Sequence, residues 1–283
     1  MIDKPDSPLV NGLHASPNFG VRRSAAARRI RGGNDLPDML IMHYTGMHSC
    51  AKAIKWLAQP QSNVSCHYVV DEDGAITQMV AESARAWHAG AGFWAGERDI
   101  NSLSIGIEVH NRGHELGYPD FPEAQMAAVE ALAGDIIERH AIPAWRVLAH
   151  SDVAPQRKGD PGEKFPWARM AESGVGFWIP PLPVDEDDAG VGFCADGPAK
   201  TAAGICQDPT ADEVKRVGEA QRLLARLGYD VEQNAVFDLA LHKTVLAFQR
   251  HYRPSRCDGR IDASTLGTLR QLVAALASAS QPR

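Results

Sequence analysis

Residues 102–150 open with SLSIGIEVH (102–110), continue through FPEAQMAAVEALAGDIIERH (121–140) and close with RVLAH (146–150). The first segment alternates and is rich in β-branched residues, which reads as a strand. In the second, Met126, Val129, Ala133, Ile136 and Ile137 recur at three- and four-residue steps. That is one apolar stripe of a helix, and Asp120 with Glu123 predicts a capping box at its start. RVLAH is a short strand ending in a histidine. Strands and a helix interleave, so this part of the chain is α/β or α+β.

Working outward, MLIMHY (39–44) is a short apolar run after Pro37, the pattern of a buried strand, and Ala51–Ala58 is a short helix stopped before Pro60. HYVV (67–70) and AITQMV (75–80) flank the acidic turn Asp71–Gly74, a hairpin signal. The first 38 residues hold no sustained period and predict an arm wrapping the first domain. Its arginines Arg22, Arg23, Arg28, Arg29 and Arg31 precede no hydrophobic stretch, so they read as a solvated surface segment.

After residue 179 the character changes. Pro180, Pro181 and Pro183, then the acidic run Asp185–Asp188, mark a linker. Beyond it Val214, Val217, Gln221, Leu224 and Leu227 form one helical stripe ended by Gly228. A second helix starts near Asp238 with Leu241, Val245, Phe248 and Tyr252, and a third at Asp262 with Leu266, Leu269, Val273 and Leu276. The expected organisation is a first domain over 1–179 with its arm over 1–38, a linker over 180–211, and a three-helix domain over 212–283.

The 283 residues carry 35 acidic against 29 basic side chains, a balance of −6 that argues against a nucleic-acid binder, which normally shows a basic footprint. No run of about 18 apolar residues occurs, which excludes a membrane-spanning helix. The five cysteines, Cys50, Cys66, Cys194, Cys206 and Cys257, form no CxxC pair, so neither a thiolate zinc knuckle nor a redox motif is supported. A Cys194–Cys206 bridge is conceivable.

The chemistry-bearing residues stand at strand ends. His43 closes the first strand, Glu108 lies in SIGIEVH, and His150 closes RVLAH, with Lys158 and Asp160 in the loop that follows. Two imidazoles and a carboxylate are a common zinc donor set that leaves a fourth position open. Such an ion acidifies water and polarises a carbonyl. A nearby glutamate can take the water proton and pass it to a leaving amine. A lysine can stabilise the developing oxyanion, worth roughly 3–4 kcal/mol per donor. From spacing alone each has a plainer reading: strand-end histidines as structural residues, Asp160 as a turn residue before Pro161-Gly162, and Glu108 as a carboxylate on the polar strand face.

MLIMHYTGM (39–47), VSCHYVVDEDG (64–74), RAWHAG (85–90), NSLSIGIE (101–108) and AHSDVAPQRKGDPG (149–162) resemble, in order and spacing, the zinc-dependent N-acetylmuramoyl-L-alanine amidases of the AmpD/AmiD group. These are related to peptidoglycan recognition proteins and the phage T7 lysozyme. The resemblance covers about residues 16–178. It implies a mixed central β-sheet flanked by helices, Zn2+ held by His43, His150 and Asp160, Glu108 as the catalytic carboxylate, and Lys158 as oxyanion stabiliser. Tyr44, His67, Trp87, His88 and Asn101 fall in segments that surround the substrate in the family. Asn63 stands where relatives that recycle anhydro-muropeptides often carry an arginine.

AQRLLARLGYDV (220–231), VLAFQRHY (245–252) and CDGRIDASTLGTL (257–269) resemble the three-helix peptidoglycan-binding domain of wall hydrolases, with EQNAVFD (232–238) in place of its usual Asp-Gly-rich loop. The expected function is therefore zinc-dependent cleavage of the amide between N-acetylmuramic acid, or its 1,6-anhydro form, and L-alanine, in wall turnover or recycling. The expected partner is peptidoglycan or a muropeptide, with no nucleic acid. Rivals are a muropeptide-binding recognition protein without hydrolysis and a zinc peptidase cutting stem peptides. The N-terminus MIDKPDSPLVNG shows no secretory leader, which points to the cytoplasm. The wall-binding resemblance points instead to the periplasm or envelope.

Overall fold

In the computed structural model, which describes residues 2–23, 37–194 and 208–279, a six-stranded mixed sheet carries the order β1-β5-β4-β7-β3-β8. Its strands are β1 (Gly12–Leu13), β3 (Met39–Tyr44), β4 (Tyr68–Val70), β5 (Ile76–Gln78), β7 (Ser104–Val109) and β8 (Val147–Ala149). β3 pairs in parallel with β7 on one side and β8 on the other. Met39–Met42 are fully buried, as a continuous apolar run in a sheet covered on both faces must be. β4 is parallel to β7 and antiparallel to β5, the expected hairpin.

The helices α1 (Cys50–Leu57), α2 (Glu123–His140) and α3 (Trp167–Glu172) accompany the sheet, besides the single turn Ile100–Leu103. α2 buries Met126, Val129, Leu132, Ala133 and Ile136, while Ile137 lies only half inside. Gln125 is also buried, and its amide donates to Val70 O and His110 O at the strand ends. The expected Asp120–Glu123 capping box does not form. Pro122 occupies the N-cap without a side-chain bond, Glu123 pairs with Arg169, and Asp120 pairs with Lys164. His150 does not end a strand either. It begins the single helical turn His150–Val153 directly after β8.

The N-terminal arm supplies strands. β1 pairs with β5, and β2 (Phe19–Val21) makes a separate antiparallel pair with β6 (Ala84–Ala86). Arg22 is no solvated surface residue: it donates to the carbonyls of Glu82, Ser102 and Ser104. Arg28, Arg29 and Arg31 lie outside the described residues.

The chain divides into two compact units. The first comprises Met1–Gly92, Arg98–His150 and Asp160–Phe177; the second comprises Phe93–Glu97, Ser151–Gly159 and Trp178–Arg283. The second contains α4 (Ala211–Leu227), α5 (Leu239–Tyr252) and α6 (Ala263–Ala279). Thr210 and Glu213 form a capping box on α4, and Asp238 caps α5. Val217, Leu224, Val245, Phe248, Leu269 and Leu272 make the core, while Val214 is exposed. Arg253, wholly buried, is held by Asp262 and Thr265.

The stretch expected as a linker has partners in this unit. Leu182 N donates to Thr268 Oγ1, Val191 and Ile261 exchange backbone bonds, and Asp188 accepts from Ala263 N. Cys194 is disulfide-bonded and Cys206 lies outside the described residues, whereas Cys50, Cys66 and Cys257 are free thiols. Among the described residues no helix is long and apolar enough to cross a membrane.

Candidate active site

The parallel strands β7, β3 and β8 lie side by side, and their C-terminal ends carry the chemistry. His43 and Glu108 are register partners on β3 and β7, so both side chains leave the same face. Met42 pairs with Ala149, which sets His43 and His150 one residue beyond a matched pair. Asp160 returns to this edge after the Ser151–Gly159 segment. The result is a buried cluster of His43, His150 and Asp160. His43 Nδ1 lies 2.9 Å from His150 Nδ1 and 3.2 Å from Asp160 Oδ2, and His150 Nδ1 lies 2.9 Å from Asp160 Oδ2.

Hydrogen-bond accounting decides what these atoms can hold. Ser104 Oγ donates to Ile100 O, so it accepts from His88 Nε2. His88 is kept neutral, because burial and then the neighbouring His43 push its pKa well down. Its Nδ1 must therefore accept from His43 Nε2, 2.9 Å away. His150 Nε2 faces the carbonyl of Ala89 at 3.1 Å and must donate to it. With Nε2 of each ring donating, His43 and His150 both carry their lone pair on Nδ1, aimed at a carboxylate oxygen. Three lone pairs converging in a buried site repel one another without a cation between them. Two nitrogens and one oxygen, each ring fixed by a bond on its far side, fit zinc.

The residues behind the cluster are also set locally. Asn101 Oδ1 accepts from the backbone N–H groups of His88 and Ala89, holding the turn whose carbonyl receives His150. Gly106 lies under His88, and a Cβ there would come within 2.5 Å of the ring. His67 is fully buried. Gly106 N donates to its Nδ1, and burial with the nearby Arg22 charge brings its pKa down to about 3.

Glu108 is half-buried on β7. Tyr44 and Trp87 are part-exposed, and the Tyr44 hydroxyl lies 3.1 Å from His114 Nδ1. Lys158 is exposed in the Ser151–Gly159 segment of the second unit. The geometry therefore brings His43, His150 and Asp160 together, sets Glu108 in register with His43, and places His67, His88 and Asn101 with their polar atoms engaged by the protein. Ser104 and Gly106 were not singled out from sequence. Their roles follow from contacts with His88, a residue distant in the chain, and only their place in the NSLSIGIE segment hinted at them.

The sequence matches the N-acetylmuramoyl-L-alanine amidase family over residues 33–163 and the peptidoglycan binding domain family over residues 213–269. It is 36% identical over 239 residues to the N-acetylmuramoyl-L-alanine amidase AmiD of Escherichia coli, covering 80% of this chain and 79% of that protein. It is 41% identical over 107 residues to the 1,6-anhydro-N-acetylmuramyl-L-alanine amidase AmpD of Citrobacter freundii, covering 38% of this chain and 55% of that one. Among solved structures it resembles E. coli AmiD in complex with anhydro-N-acetylmuramic acid-L-Ala-D-gamma-Glu-L-Lys, with a TM-score of 0.67 and 32% identity, over 91% of this chain and 98% of that chain. With its donor cluster and these likenesses, the chain belongs to the N-acetylmuramoyl-L-alanine amidase family and is a hydrolase of that class.

Proposed function

We propose that this protein cleaves the amide between the lactyl group of N-acetylmuramic acid, or its 1,6-anhydro form, and L-alanine. The observation that carries this reading is the convergence of three possible ligand atoms from His43, His150 and Asp160 beside a strand that holds Glu108 in register. We assign those three as the zinc ligands. Zinc bound there supplies Lewis acidity, polarising the amide carbonyl and acidifying water.

The rest of the work falls to this chain's own groups. The Glu108 carboxylate takes the proton of the attacking water and delivers it to the L-alanine nitrogen as the C–N bond breaks. The Lys158 ammonium offsets the oxyanion of the tetrahedral species. Tyr44 and Trp87 are the candidates for contact with sugar or peptide, since both have exposed surface. His67, His88 and Asn101 act from behind, by holding the ligands and the 88–89 turn. A purely recognising protein is not favoured, since the relatives are named as amidases and the donor set is complete.

The test is mass spectrometry of products from an anhydro-muropeptide and, in parallel, from intact sacculi. Free peptide with a new L-alanine N-terminus, lost on zinc depletion and in Glu108→Ala, is the expected result. No cleavage of either substrate, with tight muropeptide binding, would sink the enzyme reading. The match to a peptidoglycan binding domain supports a polymeric substrate and the envelope as the compartment. Cleavage of the soluble fragment alone would support cytoplasmic recycling.

A further inference from the structure

The segment Ser151–Gly159, which carries Lys158, is built into the second unit by a buried carboxylate. Asp152 and His251 have side chains with no exposed surface. The Tyr229 hydroxyl donates to Asp152 Oδ1 at 2.6 Å, and His251 Nδ1 donates to Oδ2 at 2.6 Å. Each carboxylate oxygen is thus met by a short hydrogen bond, the condition under which a buried carboxylate is tolerated. Tyr229 directly follows Gly228 at the end of α4, and His251 stands in the last turn of α5, stacked on Tyr252 at 3.8 Å. Trp94 packs edge-on against Tyr229, and Phe93 N donates to Val153 O.

A second tie lies four residues on. Lys243 Nζ donates to Gln156 O, and Gln156 Nε2 donates to Ala240 O. Around the second tie the backbone closes a turn, with Arg157 N and Lys158 N both donating to Ala154 O. The backbone of Lys158 is therefore set by groups on α4 and α5, while its own side chain is exposed. Asp152, Gln156, Tyr229 and His251 lie in segments that carry the family resemblances, but none of them is given a part in the chemistry above.

We propose that Tyr229 and His251 are positioning residues for the amidase reaction: by clamping Asp152 they fix the loop that presents Lys158. This rests on the assignment of Lys158 to the oxyanion.

The experiment uses the full chain and a soluble anhydro-muropeptide, so that polymer binding plays no part. Tyr229→Phe and His251→Leu are expected to lower kcat on the order of tenfold, the scale of a catalytic group displaced by a fraction of an ångström, with KM and zinc content within about twofold. His251→Asn, which keeps a donor near the Nδ1 position, is expected to restore most of the rate. In a Lys158→Ala background Tyr229→Phe is expected to cost less than about twofold, because two changes acting through one group do not add. Trypsin is expected to cut after Arg157 and Lys158 about fivefold faster in His251→Leu, since a loosened loop opens more often.

Equal loss in both backgrounds, unchanged kcat, or loss of zinc in Tyr229→Phe would overturn the proposal. Full activity of Lys158→Ala would overturn it too. An inert wild type with bound zinc would instead count against the amidase reading. The trypsin comparison would then still decide whether Tyr229 and His251 hold the loop, with unaltered cleavage going against them.

Discussion

His43 and Glu108 are register partners on adjacent parallel strands, so one backbone ladder places a metal-ligand candidate and the candidate general base on the same face. Because neither position depends on a loop, the pair should be rigid, and each member can be removed without moving the other.

Glu108→Gln is therefore expected to retain zinc and lose roughly 10²- to 10⁴-fold in kcat, the usual contribution of a positioned base. Product release from a muropeptide and metal content by mass spectrometry, measured on one preparation, check both halves. A variant without zinc would mean that Glu108 supports the ligands instead.

His88 fixes the tautomer of His43 through a 2.9 Å bond. Losing such a partner typically weakens metal binding about 10- to 100-fold. His88→Ala should raise the zinc Kd by that factor in a chelator competition, with activity recovering as zinc is added. Activity that stays low at saturating zinc would assign His88 a direct part in the reaction.

Gly106→Ala would place a methyl group within 2.5 Å of the His88 ring. Overpacking of this kind costs about 1–3 kcal/mol. A lower urea midpoint together with weakened zinc binding is expected. Weakened stability with normal zinc affinity would show that the sheet, and not His88, gives way.

Glu82, almost wholly buried, accepts from Arg139, His140 and Tyr68. Burial alone would raise its pKa, but these bonds hold the carboxyl down at about 2. Since the folded value lies below the unfolded one of ~4.3, the contribution of ~3 kcal/mol is present above that pH and is lost as pH falls toward 2. Glu82→Gln should thus be markedly less stable than wild type at pH 7 and close to it near pH 2.5, by urea unfolding. A gap that stays constant with pH would refute the linkage.

Much of this protein was legible along the chain, because its signals are local. The apolar run MLIMH fits a buried strand, the stripes of α2, α4, α5 and α6 repeat at helical spacing, and the segments around His43, Glu108, His150 and Asp160 carry family spacing. The arm strands β1 and β2 escaped notice, since two- and three-residue strands have no period and exist only through their partners β5 and β6. The capping box at Asp120 failed because Arg169 and Lys164, far along the chain, offered its carboxylates better partners. Only the strand order β7-β3-β8 gathers side chains 107 residues apart into one cluster. The relay Ser104–His88–His43 and the clamp on Asp152 likewise exist only in three dimensions. A hydrogen bond depends on which atoms meet, and the sequence determines the residue types while tertiary packing decides the meeting.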